Sequence, residues 1–204
     1  PIMNTIGILG SGFGLYGYLP ALIEAGEKNI LLPVRYKDKF SARSELQKYA
    51  GYVQWVFDER ALFEMIDSIV LALPPEYQLD LVKKLIHIKN IKNLLLEKPL
   101  AISPEESSKL IDDLVHSNKR FRIGYNFRFT SWGSGIFELL NRITHPVSFN
   151  RLYISWSFIA PHYSNNALVW KRFNSLGGGA LRFYGIHLIA LLAELGYTEI
   201  RSSK

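Results

Sequence analysis

The sequence predicts an α/β fold in which a parallel sheet is covered on both faces by helices. Six short apolar runs between residues 5 and 125 alternate with segments of helical periodicity: TIGILG, ILLPVR, YVQWVF, SIVLAL, KNLLLE and FRIGY. Several runs are apolar throughout, which is typical of parallel strands buried on both faces. The alternation of strand and helix therefore predicts a doubly wound domain.

The first run leads at once into a glycine-rich turn, GSGFG at residues 10–14, and then into a helical segment. Glycines here let the backbone turn tightly and approach a pyrophosphate, whose charge the helix N-terminus meets. The third glycine of the usual G-x-G-x-x-G pattern would fall at Leu15, so the motif is imperfect. A glycine-rich turn with no ligand is an alternative interpretation of the same residues. The position after a first strand favours dinucleotide binding. The predicted contacts are Gly10, Gly12, Phe13 and Gly14.

The second run contains Pro33, which removes a ladder hydrogen bond, so this strand is expected to be short or bulged. Arg35 follows, where dinucleotide-binding folds present an acid to the ribose of NAD or a base to the extra phosphate of NADP. A guanidinium suits both adenine stacking and phosphate binding. Arg35 therefore favours NADP over NAD, with a merely exposed arginine as the alternative.

The fourth and fifth runs end in LALPPEYQ and LLLEKP, at the edge where open α/β sheets bind ligands. The prolines turn the chain sharply and place Leu73 and Pro74 beside the expected cofactor. Lys98, near the rim of a buried sheet, is of the type whose pKa falls enough to exchange protons near neutral pH. Glu97 would orient the cofactor or the lysine. The alternative is an ordinary ion pair at a strand end, followed by a proline stop.

A helix start follows this turn. Ser103 is a candidate N-cap, Pro104 suits the first helical position, and Glu106 completes the capping box. These signals predict a helix over the segment SSKLIDDLVH that comes next.

The regular alternation of apolar runs and helical segments ends near residue 125. Beyond it, the sequence predicts a helix at GIFELLNRI, a long strand at VSFNRLYISWSF, a loop over 160–179 and a final apolar helix over 179–195. A single strand leaves a face and two edges uncovered. We therefore expect either a fragment of a longer protein or a partner subunit that supplies the cover.

Composition excludes several classes of protein. With 204 residues, 48% of them hydrophobic, the chain can bury a substantial core. It has no cysteine, which excludes disulfides and thiolate metal sites and fits an intracellular compartment. Without a signal-like N-terminus or an apolar run of membrane length, we expect a cytoplasmic protein with no membrane partner.

The net charge of +6 is unevenly distributed. Residues 1–116 carry 13 lysines and arginines against 15 acids, whereas residues 117–204 carry 11 against 3. This asymmetry is compatible with a solvated face, an anionic small molecule or nucleic acid. No nucleic-acid reader motif is present, so we expect no nucleic-acid partner.

Five ordered segments resemble the glucose-fructose oxidoreductase and inositol dehydrogenase family (Gfo/Idh/MocA): GILGSGFGLYGYLPAL, LALPPEYQ, LLLEKPLAIS, IGYNFRF and GGGALRFYGIHLIALLAEL. The resemblance implies an NAD(P)-binding Rossmann domain over 1–124. It also implies a C-terminal substrate and dimerisation α/β domain over 125–204, with an open, mostly antiparallel sheet. Typical members are longer, so this second domain is expected to be truncated.

By the same resemblance, Lys98 would bind the reacting hydroxyl or carbonyl and transfer its proton, with Glu97 on the cofactor side. Asn126 would lie near the domain crossover and the cofactor, and His187 would face the substrate. From the residues alone, a histidine on an apolar helix is more often a packing residue.

Two positions depart from the family pattern. Phe183 stands where members commonly have an aspartate four residues before the histidine, and Gln78 stands where a histidine usually follows the proline turn. These departures keep open a catalytically impaired dinucleotide-binding or scaffold protein of the same fold.

The leading hypothesis is an NAD(P)-dependent oxidoreductase that moves a hydride between nicotinamide and a sugar, nucleotide-sugar or cyclitol carbon. Lys98 and His187 are the predicted catalytic residues, and Tyr184, Lys171 and Arg172 would join them at the substrate. The basic second part favours a phosphorylated or nucleotide-linked sugar. We expect no metal, and a homo-oligomer, either a dimer or a tetramer.

Overall fold

The computed structural model describes residues 4–142 and 153–202. The chain divides into two compact units, Pro1–Gly124 and Tyr125–Lys204.

The first unit is built on a six-stranded parallel sheet with the order β3-β2-β1-β4-β5-β6. All six predicted strands are present, and each is four residues long. The strands are β1 Ile6–Leu9, β2 Ile30–Pro33, β3 Val53–Val56, β4 Ser68–Leu71, β5 Asn93–Leu96 and β6 Arg120–Ile123. The strand order reverses between β1 and β4, which is where doubly wound sheets place their ligand crevice. The predicted doubly wound parallel fold is confirmed for this unit.

Helices connect the strands of the first unit. A π-helical turn, Gly14–Tyr18, continues into α1, Leu19–Glu24. The others are α2 Lys37–Ser41, α3 Glu59–Met65, α4 Pro75–Leu85 and α5 Pro104–His116, with 3₁₀ segments at Val34–Tyr36 and Ser44–Tyr52.

The core lies on both faces of the sheet, because successive strand residues point to opposite sides. Along β2, Ile30 and Leu32 belong to one hydrophobic cluster and Leu31 to the other. Along β4, Val70 faces the first of these clusters and Ile69 the second. All five side chains are almost fully buried, as the uniformly apolar runs predicted.

Two local predictions are also confirmed. Strand β2 is short and ends at Pro33, so the missing amide hydrogen falls on its last residue. Helix α5 begins with a complete capping box: Ser103 Oγ accepts from the Glu106 amide at 3.1 Å, and Glu106 Oε2 accepts from the Ser103 amide at 3.1 Å.

The second unit is helical in its described part. It contains a 3₁₀ turn at Phe127–Phe129, then α6 Ser131–Arg142, α7 Pro161–Ser164, and 3₁₀ turns at Trp170–Arg172 and Asn174–Leu176. A π-helical turn, Leu181–Gly185, leads into α8, Ile186–Glu194. The final apolar helix is therefore present, and short helical turns interrupt the predicted loop over 160–179.

The strand predicted over 147–158 is not formed where the structure describes it. Residues 153–158 have no regular secondary structure, and residues 147–152 lie outside the described residues. A strand requires a hydrogen-bonded neighbour, and residues 125–142 and 153–202 contain none. The antiparallel sheet expected for the second domain is likewise absent from these residues.

Candidate functional site

The last residues of β1, β4 and β5 lie side by side. Leu9 pairs with Leu71, and Leu71 pairs with Leu96. The three turns that follow therefore leave the sheet at the same level, on the side where parallel sheets bind ligands. This side of the sheet is called the carboxyl edge below.

The first of these turns requires glycine at its start. Gly10 has φ +134°, and a Cβ atom there would lie 2.4 Å from the carbonyl oxygen of Ala72 in the neighbouring turn. The Gly10 amide donates a hydrogen bond to the Tyr36 hydroxyl at 3.1 Å. The turn is thus packed against the end of β4 and tied to the segment after β2.

The next glycine opens onto free space. A Cβ atom built on Gly12 would meet no atom within 4 Å, and the Gly12 carbonyl accepts from the Leu15 amide at 2.9 Å. The π-helical turn then begins at Gly14, and Phe13 before it is partly exposed, with its ring 5.1 Å from that of Tyr18. Open backbone at a helix start fits a pyrophosphate.

Two cations lie next to this turn. Arg35 forms an ion pair with Glu59, and its Nη2 lies 3.4 Å from the Tyr36 hydroxyl. The hydrogen bond to Glu59 raises the pKa of the Arg35 guanidinium above its ordinary value, which keeps it charged. Lys39 Nζ donates to the hydroxyl of Ser11, inside the glycine turn, at 2.9 Å.

The turn after β4 runs from the sheet into α4. Leu73 packs partly buried against one core cluster, and the Pro74 carbonyl accepts from the Gln78 amide at 3.0 Å. Leu73 and Pro74 therefore lie at the carboxyl edge, between β4 and α4.

The turn after β5 carries a buried lysine. Lys98 is 9% exposed and joined to Pro99 by a cis peptide bond. The fully buried side chain of Gln78 makes two hydrogen bonds to the backbone of Glu97, the residue before Lys98. Its Nε2 donates to the Glu97 carbonyl at 2.6 Å, and its Oε1 accepts from the Glu97 amide at 3.1 Å. The side-chain amide thus extends the hydrogen bonding of the sheet beyond β5 and fixes the backbone from which Lys98 projects.

The Glu97 carboxylate links this turn to the first helix. Its Oε1 accepts from the Tyr18 hydroxyl at 2.5 Å, and its Oε2 accepts from the Lys98 amide at 3.3 Å. Burial raises the pKa of the Tyr18 phenol, and the negative charge of Glu97 raises it further, so the hydroxyl keeps its proton. A Cβ atom on Gly124 would lie 2.6 Å from the Tyr18 oxygen, so glycine there leaves room for the pair.

The second unit places two of its predicted substrate residues, Tyr184 and Lys171, at one aromatic cluster around His162 and Phe183. The Tyr184 hydroxyl lies 3.0 Å from His162 Nε2, and burial raises the pKa of that hydroxyl. Lys171 Nζ lies 5.0 Å from the ring centroid of Phe183, which also packs edge-on against His162. Arg172 instead donates to side-chain and backbone oxygens of its own loop.

His187 packs in the same unit against an aromatic ring. It stacks on Phe127 with centroids 5.0 Å apart and planes 16° from parallel. Asn126 immediately precedes that residue, and its carbonyl accepts from the Phe129 amide at 3.0 Å. Stacking is consistent with the packing role that the residues alone suggested for the histidine.

The predicted residues thus form two groups, each within its own unit. The carboxyl edge of the first unit gathers Gly10, Gly12, Phe13, Gly14, Leu73, Pro74, Glu97 and Lys98, with Arg35 at the end of the adjacent strand. The sequence analysis missed the contributions of Ser11, Tyr18, Tyr36, Lys39 and Glu59. Tyr18 and Lys39 each lie one helical turn beyond a predicted residue, so helical spacing was the available signal.

The part of the chain that the structure describes, residues 4–142 and 153–202, has neither a cluster of metal ligands nor a membrane-spanning helix. Within these ranges, no group of three or more histidine, aspartate or glutamate side chains is arranged to hold a metal ion. Within the same ranges, no helix is both long enough and apolar enough to cross a membrane.

Comparison with known proteins decides the family. Residues 5–125 match the sequence model of the Gfo/Idh/MocA family, an oxidoreductase family with an NAD-binding Rossmann fold. The chain belongs to this family. The match to the Gfo/Idh/MocA model covers the first unit and ends at the first residue of the second.

A curated relative, an uncharacterized oxidoreductase of Synechocystis, is 23% identical over 185 residues, which cover 90% of this chain and 48% of the relative. An NAD-binding oxidoreductase from Klebsiella pneumoniae superposes with a TM-score of 0.63 at 19% identity, over 95% of this chain and 53% of that one. The WlbA (WbpB) dehydrogenase from Thermus thermophilus, solved with NAD and alpha-ketoglutarate, gives 0.61 at 18% identity, over 95% and 62%. The chain thus spans about half the length of the curated relative it matches.

Proposed function

We propose that this chain belongs to an NAD(P)-dependent oxidoreductase that moves a hydride between nicotinamide and a carbinol or ketone carbon of a sugar, a nucleotide-linked sugar or a cyclitol. The observation that carries the proposal is the buried lysine Lys98, two residues beyond β5, on the carboxyl edge that also holds the glycine turn. A lysine is almost never buried without a specific reason. Buried lysines are common proton carriers in enzymes.

Residues of the first unit would hold the dinucleotide. The turn from Gly10 to Gly14 offers open backbone and a helix start to the pyrophosphate, and Arg35 offers a guanidinium to the adenosine end. When bound, the nicotinamide supplies or accepts the hydride.

Lys98 would handle the proton that accompanies the hydride. In the direction of reduction, its ammonium donates a proton to the carbonyl oxygen as that carbon gains the hydride; in oxidation, the neutral amine takes the hydroxyl proton. The hydrogen bonds of Gln78 and Glu97 hold the backbone of this turn, which would orient the amine before substrate binds.

Residues 125–204 would serve as the substrate and dimerisation domain. His187, Tyr184, Lys171 and Arg172 are the proposed substrate residues, and the positive charge of residues 117–204 would attract a phosphorylated or nucleotide-linked sugar. Phe183 cannot act as an acid, so the proposal assigns proton transfer to Lys98 and leaves His187 to orient the substrate.

The test measures NADPH oxidation by the full chain against a panel of keto-sugars and their nucleotide-linked forms. Lys98→Met should lower kcat by about 10² to 10⁴, the usual contribution of one general acid or base, while NADPH binding persists. Lys109→Met, on the exposed face of α5, is the matched control and should leave both unchanged.

Two outcomes would change the assignment. Undiminished turnover in Lys98→Met removes Lys98 from the mechanism. Tight NADPH binding by the wild-type chain, with no turnover on any sugar of the panel, would instead favour the non-catalytic dinucleotide-binding alternative.

A further inference from the structure

The Arg35 guanidinium already has an anionic partner. Its ion pair with Glu59 joins the end of β2 to the first turn of α3, and the two side chains are 52% and 38% exposed. The same guanidinium contacts Tyr36, whose hydroxyl accepts from the Gly10 amide at 3.1 Å. The pair therefore lies beside the cofactor turn, where a ligand can reach it.

Lys39 is placed differently. It projects from α2, one turn after Arg35, and donates to the neutral hydroxyl of Ser11 at 2.9 Å. Ser11 is the residue between the first two glycines of the turn. An anion that approaches Lys39 therefore meets a neutral hydroxyl on Ser11 where Arg35 carries a carboxylate partner.

The two cofactors differ at one position, the ribose 2′ oxygen. A 2′-phosphate brings about two negative charges, as phosphomonoesters do near neutral pH. On Arg35 it would approach the Glu59 carboxylate, and like charges a few ångströms apart repel even near a protein surface. A free ribose hydroxyl carries no charge and can donate a hydrogen bond to that carboxylate.

We propose that Glu59 is a specificity-determining residue that competes with the ribose 2′-phosphate for Arg35 and so leaves Lys39 as the cation that selects NADPH. The inference rests on the proposed dinucleotide function. It adds that Glu59 and Lys39 have opposite effects on the cofactor preference of the site. Glu59 favours NADH, whereas Lys39 favours NADPH, and the wild-type chain therefore discriminates weakly between the two.

The experiment measures dissociation constants of NADPH and NADH by calorimetry for the full chain. Glu59→Gln keeps the shape of the side chain and removes its charge. It should lower the dissociation constant of NADPH by about tenfold and leave that of NADH unchanged or higher. Lys39→Gln should raise the dissociation constant of NADPH by about tenfold and change that of NADH by less than about twofold. Both NADPH effects should shrink as ionic strength rises.

Matched controls lie on the same helices. Glu64→Gln on α3 removes a carboxylate that pairs with Arg60, and Lys37→Gln on α2 removes an exposed ammonium. Neither should change the ratio of the two dissociation constants. Adenosine 2′,5′-bisphosphate and 5′-AMP, used as probes in place of the dinucleotides, should give the same ranking, because they differ only in the 2′-phosphate.

The outcomes separate this inference from the proposed function. Binding of dinucleotides with a ratio that Glu59→Gln and Lys39→Gln leave unchanged overturns the inference alone. A wild-type chain that binds neither dinucleotide overturns the proposed function and the inference with it.

Discussion

Replacing Gln78 by leucine should destabilise the first unit far more than its small change in volume suggests. Leucine is close in size and apolar, but it can neither donate nor accept. The substitution therefore removes the bond to the Glu97 carbonyl at 2.6 Å and the bond from the Glu97 amide at 3.1 Å. That amide also donates to the Leu71 carbonyl at 2.9 Å, so most of the cost falls on the carbonyl.

The size of the effect follows from burial. Depriving a buried polar group of its partner costs about 1–3 kcal/mol, and a typical hydrogen bond contributes about 1 kcal/mol net. We expect Gln78→Leu to lower the free energy of unfolding by about 2–4 kcal/mol. In a protein of this length that corresponds to a fall in Tm of about 4–16 °C.

Urea denaturation, followed by far-ultraviolet circular dichroism and by fluorescence, measures the change. Trp55 lies in the first unit, so its emission reports on that unit once the three tryptophans of residues 125–204 are replaced by phenylalanine. Gln54→Leu, at an exposed position on β3, is the matched control and should stay within about 0.5 kcal/mol of the wild type. A Gln78→Leu variant as stable as this control would refute the stabilising role of the two hydrogen bonds between Gln78 and the Glu97 backbone.

Two further predictions concern the same edge of the sheet. Tyr18→Phe should lower stability by about 1–2 kcal/mol at neutral pH, because the bond to the Glu97 carboxylate is lost. The phenol pKa is raised in the folded state, so the deficit should shrink in denaturation curves above pH 10, where the unfolded wild-type tyrosine loses its proton; a constant deficit up to pH 11 would contradict this. Gly10→Ala should cost more than about 3 kcal/mol and abolish NADPH binding in calorimetry, since its Cβ meets the Ala72 carbonyl at a positive φ. Gly51→Ala has open space and should be nearly neutral by both measures.

The sequence predicted the first unit well because its signals are local. Apolar runs specify the strands, and the residues from Ser103 to Glu106 specify a helix start through bonds over three positions. The glycine turn was likewise readable from its letters. The hydrogen-bond partners around this turn could not be predicted from the sequence, because the bond from Lys39 to Ser11 spans 28 positions and the bond from Tyr18 to Glu97 spans 79.

The strand predicted over 147–158 failed in its described part for a related reason. Aromatic and β-branched residues fit a strand, but they fit an aromatic cluster equally well. Trp156 packs its ring against Phe127 at 5.0 Å and against Phe158 at 4.6 Å. A strand also depends on a partner whose presence no local pattern reveals, whereas side-chain packing needs only neighbours in space.

The two departures from the family pattern differ in physical meaning. Gln78 retains a structural task, because its amide holds both backbone groups of Glu97 and thereby the turn that carries Lys98. Phe183 lies among aromatic rings, with those of Trp170 and Tyr184 both edge-on to it. Its ring also lies 5.0 Å from the Lys171 ammonium, so position 183 presents an apolar face and no group that can transfer a proton. Phe183 therefore has a packing role, whereas the turn after β5 carries a lysine that can transfer a proton, which supports the proposed assignment of proton transfer to Lys98.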